Sequence, residues 1–216
     1  MLSICIVIKN RTEFKYKCSK LYCRPLYNQL FSIFCHRNKI KSLFNEYEVL
    51  IYGFVSEDFN VRDYVEKFVP INSMPIKVIF HKGDNTFNKG VGLNNIIGQS
   101  NGEYIFVSDV DMVFETDDVF IKAKEVLDSG KSYFPNVFKY HTNFLSGVWT
   151  RNGCGPCCYT KETYNRSKGY ISKDTYGHED TDFMKQCESL TGIVRGKIDG
   201  YAHCPHNTEW IDGNKV

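Results

Sequence analysis

Residues 104–111 read Tyr104-Ile105-Phe106-Val107-Ser108-Asp109-Val110-Asp111, an apolar run of four that stops against two carboxylates spaced i and i+2. Short, apolar and rich in β-branched and aromatic residues, the run predicts a buried strand. Where such a strand emerges, two acids cannot both lose their water without a counter-charge. They require a cation, a basic partner or open solvent. A divalent metal supplies the first: oxygen ligands suit Mg2+ or Mn2+, and α/β sheets hold ligands at the C-terminal ends of their strands. A solvated turn is the alternative reading of Asp-x-Asp taken alone.

Outward from this stretch, strand and helix patterns alternate, as in an α/β layer fold. Ser3 to Lys9 predicts a buried first strand ending at Asn10 and Arg11, and Glu48 to Val55 a second that runs into Ser56-Glu57-Asp58. Between them Leu26, Leu30, Phe31 and Phe34 have helical spacing after Pro25, a residue suited to a first helical turn. Ile76 to Phe80 reads as a third strand and Phe87 to Ile97 as a helix. Downstream, Asp118 to Leu127 predicts a helix closed by Gly130, and Tyr133 to Tyr140 a strand. Short helices near Lys161 to Arg166 and Asp180 to Leu190 and a strand near Ile193 to Ile198 follow, in a region punctuated by Gly147, Gly153, Gly155 and Pro156. No repeat, low-complexity tract or linker interrupts the pattern. One domain over residues 1–216 is expected, with a nucleotide-type half over about 1–111 and a substrate-type half over about 112–216.

Composition agrees with this. The 216 residues are 42% apolar, enough to fill a core, and the apolar runs fall far short of the ~20 residues a membrane span needs. A net charge of +2 argues against a nucleic-acid partner. The charge is unevenly laid out. Met1 to Ser42 hold nine basic residues and one acid, an excess of +8, while the remaining 18 basic and 24 acidic residues leave −6. The basic segment reads as a solvated helix face, with docking on an anionic membrane or a lipid-linked acceptor as the second reading. The N-terminal MLSICIVIKNR has no charged region ahead of its apolar run and no small-residue cleavage site, so reduced thiols and a cytoplasmic location, peripheral to the membrane on the second reading, are the expectation.

Three further clusters could carry chemistry. Gly177-His178-Glu179-Asp180-Thr181-Asp182 opens a helix, where the positive end of the helix dipole favours acids, as catalytic groups or as simple caps. His203-Cys204-Pro205-His206 could bring an imidazole to a borderline ion such as Mn2+. Cys154-Gly155-Pro156-Cys157 has the spacing of a thiol-disulfide site, but it stands late in the chain and Gly153 precedes it. The same two cysteines with His203 and His206 do not match the spacing of a zinc finger.

Taken together and in order, SICIVIKNR, Ser56-Glu57-Asp58, Phe87-Asn88-Lys89-Gly90 with Asn94, FVSDVD, GPCCYTKETYNRSKGYISKDTYGHEDTDF and HCPHN resemble the GT-A glycosyltransferases, most specifically the β-1,4-galactosyltransferases and the chondroitin-polymerase type of bacterial enzyme. The resemblance implies a GT-A, Rossmann-like mixed sheet flanked by helices. It also implies inverting transfer of a sugar of galactose, N-acetylgalactosamine or glucose type from a UDP-sugar to a glycan or lipid-linked saccharide. Mn2+ or Mg2+ would be held by Asp111 and His206, with His203 in reserve and Asp109 shared between ribose and metal shell. Asp180 would be the base and Glu179 would orient the acceptor, while Asn10, Arg11, Asp58 and Lys89 would line the nucleotide pocket. Two departures stand out: Tyr176-Gly177-His178 replaces the galactosyltransferases' Trp and Gly before the acid pair, and Thr12 to Ser42 aligns with no motif. The competing classes are a thiol-disulfide oxidoreductase using Cys154 and Cys157 and a non-catalytic carbohydrate-binding protein of the same fold.

Overall fold

A computed structural model describes residues 1–10, 14–15, 22–55, 60–68, 74–83, 86–141, 144–150, 153–172 and 178–205. In chain order, the strand Leu2–Ile8 (β1) is followed by a ribbon of Phe14–Lys15 (β2) and Tyr22–Cys23 (β3), the helix Pro25–Phe44 (α1), the strand Tyr47–Gly53 (β4), the helix Val61–Phe68 (α2) and the strand Ile76–Phe80 (β5). Then come Lys89–Gly98 (α3), Tyr104–Val107 (β6), Met112–Phe114 (β7), Asp118–Asp128 (α4), Ser132–Tyr140 (β8), Gly147–Trp149 (β9) and Cys157–Thr160 (β10). Lys161–Arg166 (α5), Glu179–Thr191 (α6) and Ile193–His203 (β11) complete the chain.

All seven residues of β1 are buried. Leu2, Ile4, Ile6 and Ile8 enter one core and Cys5 and Val7 the other, so the strand has no wet face and must lie inside a sheet covered on both sides. It pairs in parallel with β4 and β6, and β4 pairs in parallel with β5. The sheet runs β5-β4-β1-β6-β10-β8-β11-β7, with β9 on β8. From β1 the chain first steps out to β4 and β5, then returns to place β6 on the other side. That reversal opens a crevice beyond the C-terminal ends of β1 and β6, the usual ligand position in such sheets. Asn10, in the left-handed region at φ 52°, turns the chain away at the end of β1, and Ser108-Asp109 leave β6 beside it.

α1, α2 and α4 cover one face through Leu30, Ile33, Tyr64 and Phe120, and α3 and α6 cover the other through Leu93, Ile96 and Phe183. Each fully buried side chain of this size contributes roughly 1.5–3 kcal/mol. Phe183, stacked on Tyr170 at 4.1 Å, anchors the helix whose first turn carries Glu179 and Asp180.

Nine expected elements coincide with the structure to within a residue or two: β1, β4, β5, α3, β6, α4, β8, α5 and α6. α1 runs ten residues beyond Phe34, through Lys39 and Lys41, and Arg37 folds back 3.9 Å over the Phe34 ring while donating to the Phe34 carbonyl. The strands β2, β3, β7, β9 and β10 and the helix α2 are not among the expected elements. β10 is a four-residue Cys-Cys-Tyr-Thr segment after Gly155-Pro156 that inserts antiparallel between β6 and β8; its partners are remote in sequence, so local pattern does not reveal it. Among the described residues no helix is long and apolar enough to cross a membrane.

Candidate active site

Three segments meet at the crevice: the turn after β6, the start of α3 and the start of α6. Asn88 caps α3, its side-chain oxygen accepting the Val91 amide at 3.0 Å, and this fixes Lys89 on the first helical turn. An ammonium there opposes the helix dipole. Its partners account for the placement. Lys89 Nζ lies 2.7 Å from Asp109 Oδ1 and 2.8 Å from Asp180 Oδ2, with the lysine only 11% exposed. Burial pulls the Lys89 pKa down, but the two carboxylates outweigh it and hold the group well above the ordinary lysine range. Burial pushes the Asp180 carboxyl up, Lys89 draws it back, and the negative charges of Asp109 and Glu179 add to the rise, leaving it above the usual carboxylate value. Oδ2 of Asp180 serves Lys89, whereas its buried Oδ1 has no hydrogen-bond partner among the described residues.

The backbone makes room for this group at Gly155. A Cβ there would collide with the Asp109 carboxylate and stand 3.3 Å from Asp180 Oδ2. At Gly90 a Cβ would run into the Ile171 carbonyl, so α3 can approach the 164–172 segment this closely only with glycine. Asn94, a turn further along α3, locks the contact: its side chain accepts from the Tyr170 amide and the Tyr164 hydroxyl, both at 2.9 Å, and donates to the Tyr170 carbonyl at 2.7 Å.

Asp111 lies on the far side of the same turn, paired with β11 rather than with Lys89. Its Oδ2 is 3.3 Å from His203 Nε2, and the Cys204 amide donates to its carbonyl at 2.8 Å. The pairing of His203 with Met112 in the β11–β7 ladder aligns the two residues. Among the described residues no group of three or more His, Cys, Asp and Glu side chains forms a metal cage. A carboxylate and an imidazole do fit a borderline divalent ion that takes its other ligands from diphosphate oxygens and water, the habit of ions bound with nucleotides. Arg11, Asp58 and His206 lie outside the described residues. Of the remaining candidates, Asp109, Lys89 and Asp180 are in direct contact, Glu179 adjoins them on α6, and Asp111 and His203 form the second pair. Asn94 and Gly155 had no assigned role in the sequence; their signal was only their place within the motifs.

The cysteine pair has a different setting. Cys157 begins a strand rather than a helix, is buried, and is pushed well above the ordinary thiol pKa by that burial, which its Tyr170 hydrogen bond only partly offsets. A reactive thiol needs the reverse.

A mixed sheet with a parallel portion over β5, β4, β1 and β6, a crevice at the β1/β6 reversal and acids at that crevice is the GT-A architecture. Solved structures with this fold superpose on 94–100% of the chain. TarS 1-349 of S. aureus in complex with UDP-GlcNAc matches at TM-score 0.73 and 16% identity, covering 100% of this chain and 61% of its own. GalNAc-T7 with UDP, GalNAc and Mn2+ matches at 0.66 and 9%, covering 94% and 44%. The mannosyltransferase PcManGT from Pyrobaculum calidifontis, in complex with GDP-Man and Mn2+, matches at 0.63 and 13%, covering 94% and 56%. The chain therefore spans less than two thirds of the length of these proteins. No family model and no curated protein sequence matches it.

Proposed function

We propose that the chain is an inverting, metal-dependent glycosyltransferase domain that moves a sugar from a UDP-sugar to a hydroxyl of a glycan or lipid-linked saccharide. The observation that carries the reading is the Lys89 bridge, which joins Asp109 at the nucleotide crevice to Asp180 at the head of α6. Residues 1–111 then form the nucleotide-sugar half and 112–216 the acceptor and catalytic half.

Asp180 takes the proton of the acceptor hydroxyl as that oxygen attacks the anomeric carbon and the bond to UDP breaks, a single displacement with inversion. A carboxylate raised above its usual pKa is a stronger base, and Oδ1 is the oxygen left for the incoming hydroxyl. Glu179, on the same helical turn, orients the acceptor. Lys89 holds Asp180 against Asp109 and keeps it ionised. Asn10, Arg11 and Asp58 line the nucleotide, and Asp109 faces the ribose. A Mn2+ or Mg2+ ion, when bound, neutralises charge developing on the departing diphosphate. Asp111 and His203 would hold it, with Asp109 in its shell and His206 as the further candidate ligand. Contact of the basic N-terminal segment with an anionic membrane or a lipid-linked acceptor belongs to the same proposal.

The galactose, N-acetylgalactosamine and glucose UDP-sugars are the donors to test first; the UDP-GlcNAc and GDP-Man bound by TarS and PcManGT extend the panel. Release of the nucleoside diphosphate, UDP or, from GDP-Man, GDP, is measured for each donor with and without Mn2+ over mixed acceptors. Metal-dependent release from one or more donors is expected, and none from any donor would sink the reading.

A further inference from the structure

We infer that Gln29 on α1 is a positioning residue for the Asp109–Asp111 turn, gripping it from behind the sheet. Gln29 is fully buried, and its side-chain nitrogen lies 2.7 Å from the Asp109 carbonyl and 2.7 Å from Ser108 Oγ. A carbonyl oxygen can only accept, so the amide nitrogen must face it and the orientation is fixed. The Ser108 hydroxyl in turn meets the Tyr201 hydroxyl of β11 at 2.9 Å. The turn is thereby tied both to the helix and to the strand that carries His203.

The grip follows one face of α1. Positions 29, 32 and 36 share that face. Ser32 Oγ accepts the Phe114 amide at 3.1 Å, and the His36 ring reaches the Phe114 carbonyl at 2.9 Å and Asp117 at 2.7 Å. Ser32 and His36 hold β7 and the entry to α4, whereas Gln29 bonds Ser108 and the Asp109 carbonyl at the start of the acidic turn. Gln29 Oε1 is buried with no hydrogen-bond partner among the described residues. A half-satisfied amide is a poor choice for core stability, since an apolar side chain of the same shape would leave nothing unpaired. What the amide supplies is a directional donor to the Asp109 carbonyl. That carbonyl also accepts the Met112 amide at 3.1 Å, the bond that closes the turn. This assigns α1, from the segment that matched no motif, to setting where Asp109 and Asp111 point. The placement stands on geometry; its effect on donor binding rests on the glycosyltransferase reading.

The test is hydrogen exchange of the Met112 amide, with UDP affinity in Mn2+ measured by calorimetry, in wild type, Gln29→Met and Ser32→Ala. Gln29→Met should speed Met112 exchange about tenfold or more while β1 amides stay protected, and should weaken UDP binding about tenfold. Ser32→Ala should instead speed exchange at Phe114 and leave UDP affinity within about twofold. Should Gln29→Met not fold, Gln29→Leu also removes the amide donors without burying a further carboxyl, and the same changes are expected. Unchanged Met112 exchange, or faster exchange with unchanged UDP affinity, overturns the inference. Faster Met112 exchange in a protein whose wild type binds no UDP upholds the positioning and sinks the glycosyltransferase reading instead.

Discussion

Replacing Lys89 by methionine keeps most of the side chain's volume and deletes the one charge that Asp109 and Asp180 share. Removing one partner of a buried ion pair costs about 3–5 kcal/mol. Here the two carboxylates are 33% and 20% exposed, so water and protonation relieve part of the loss, and about 2–4 kcal/mol near pH 7.5 is the expected cost. For a chain of 216 residues that lowers the melting temperature by roughly 4–16 °C. The sign of the pH dependence separates charge from packing. The Lys89 pKa is raised, so its stabilising charge is fully present below the ordinary lysine range and is lost only as pH climbs through the raised value; it is constant across the acidic and neutral range. Asp180 is the group that varies. Its folded pKa already stands above the unfolded one, so ionising it costs stability as pH rises from the unfolded value through the folded one. Without Lys89 that pKa rises further and the cost deepens. The deficit of Lys89→Met should therefore be small near pH 4, grow towards neutrality and then level off, while the acid limb of kcat/KM moves to higher pH. Thermal melts across pH 4–8 and initial rates of UDP release supply both readouts. An equal deficit at pH 4 and pH 7.5, with an unmoved acid limb, would show that the lysine acts by packing alone.

Other outcomes follow from the same geometry. Asp180→Asn should abolish transfer and spare UDP affinity, whereas Asp111→Ala should lose both, as read by UDP release and calorimetry; wild-type turnover in either variant removes that residue's assigned role. Gly155→Ala places a methyl group against the Asp109 carboxylate, at a strain of about 1–3 kcal/mol, and should cut turnover at least about tenfold in a protein whose circular dichroism is unchanged. Cys154→Ser should retain transfer, and neither it nor wild type should reduce insulin; a wild-type reductase activity that the substitution removes would revive the thiol-disulfide reading.

Much of the fold was legible because its decisive strands carry their burial in their composition. β1 and β6 are apolar on both faces, which implies a central place in a covered sheet, and the acids that end β6 mark the crevice. β10 was not legible: its short cysteine-rich sequence has no strand period of its own, and it is a strand only because β6 and β8 flank it. α1 was legible as a helix start but not in its extent or its task. The polar residues Gln29, Ser32 and His36 acquire meaning only from the turn they touch.

The division for the site is sharper. By itself the sequence determined which chemical groups exist and their local setting: two carboxylates at a strand end, two at a helix start, a lysine near the start of another helix, and two histidines close to the last strand. Only the tertiary structure decided which of them meet. Lys89 faces Asp109 and Asp180, 91 residues separating the lysine from the second acid, while Asp111 faces His203. The reason is range. Strand and helix signals are written in neighbouring residues, whereas the pairing of charges depends on a crossover that returns the chain to β1's other side and on glycines small enough to let the backbones close.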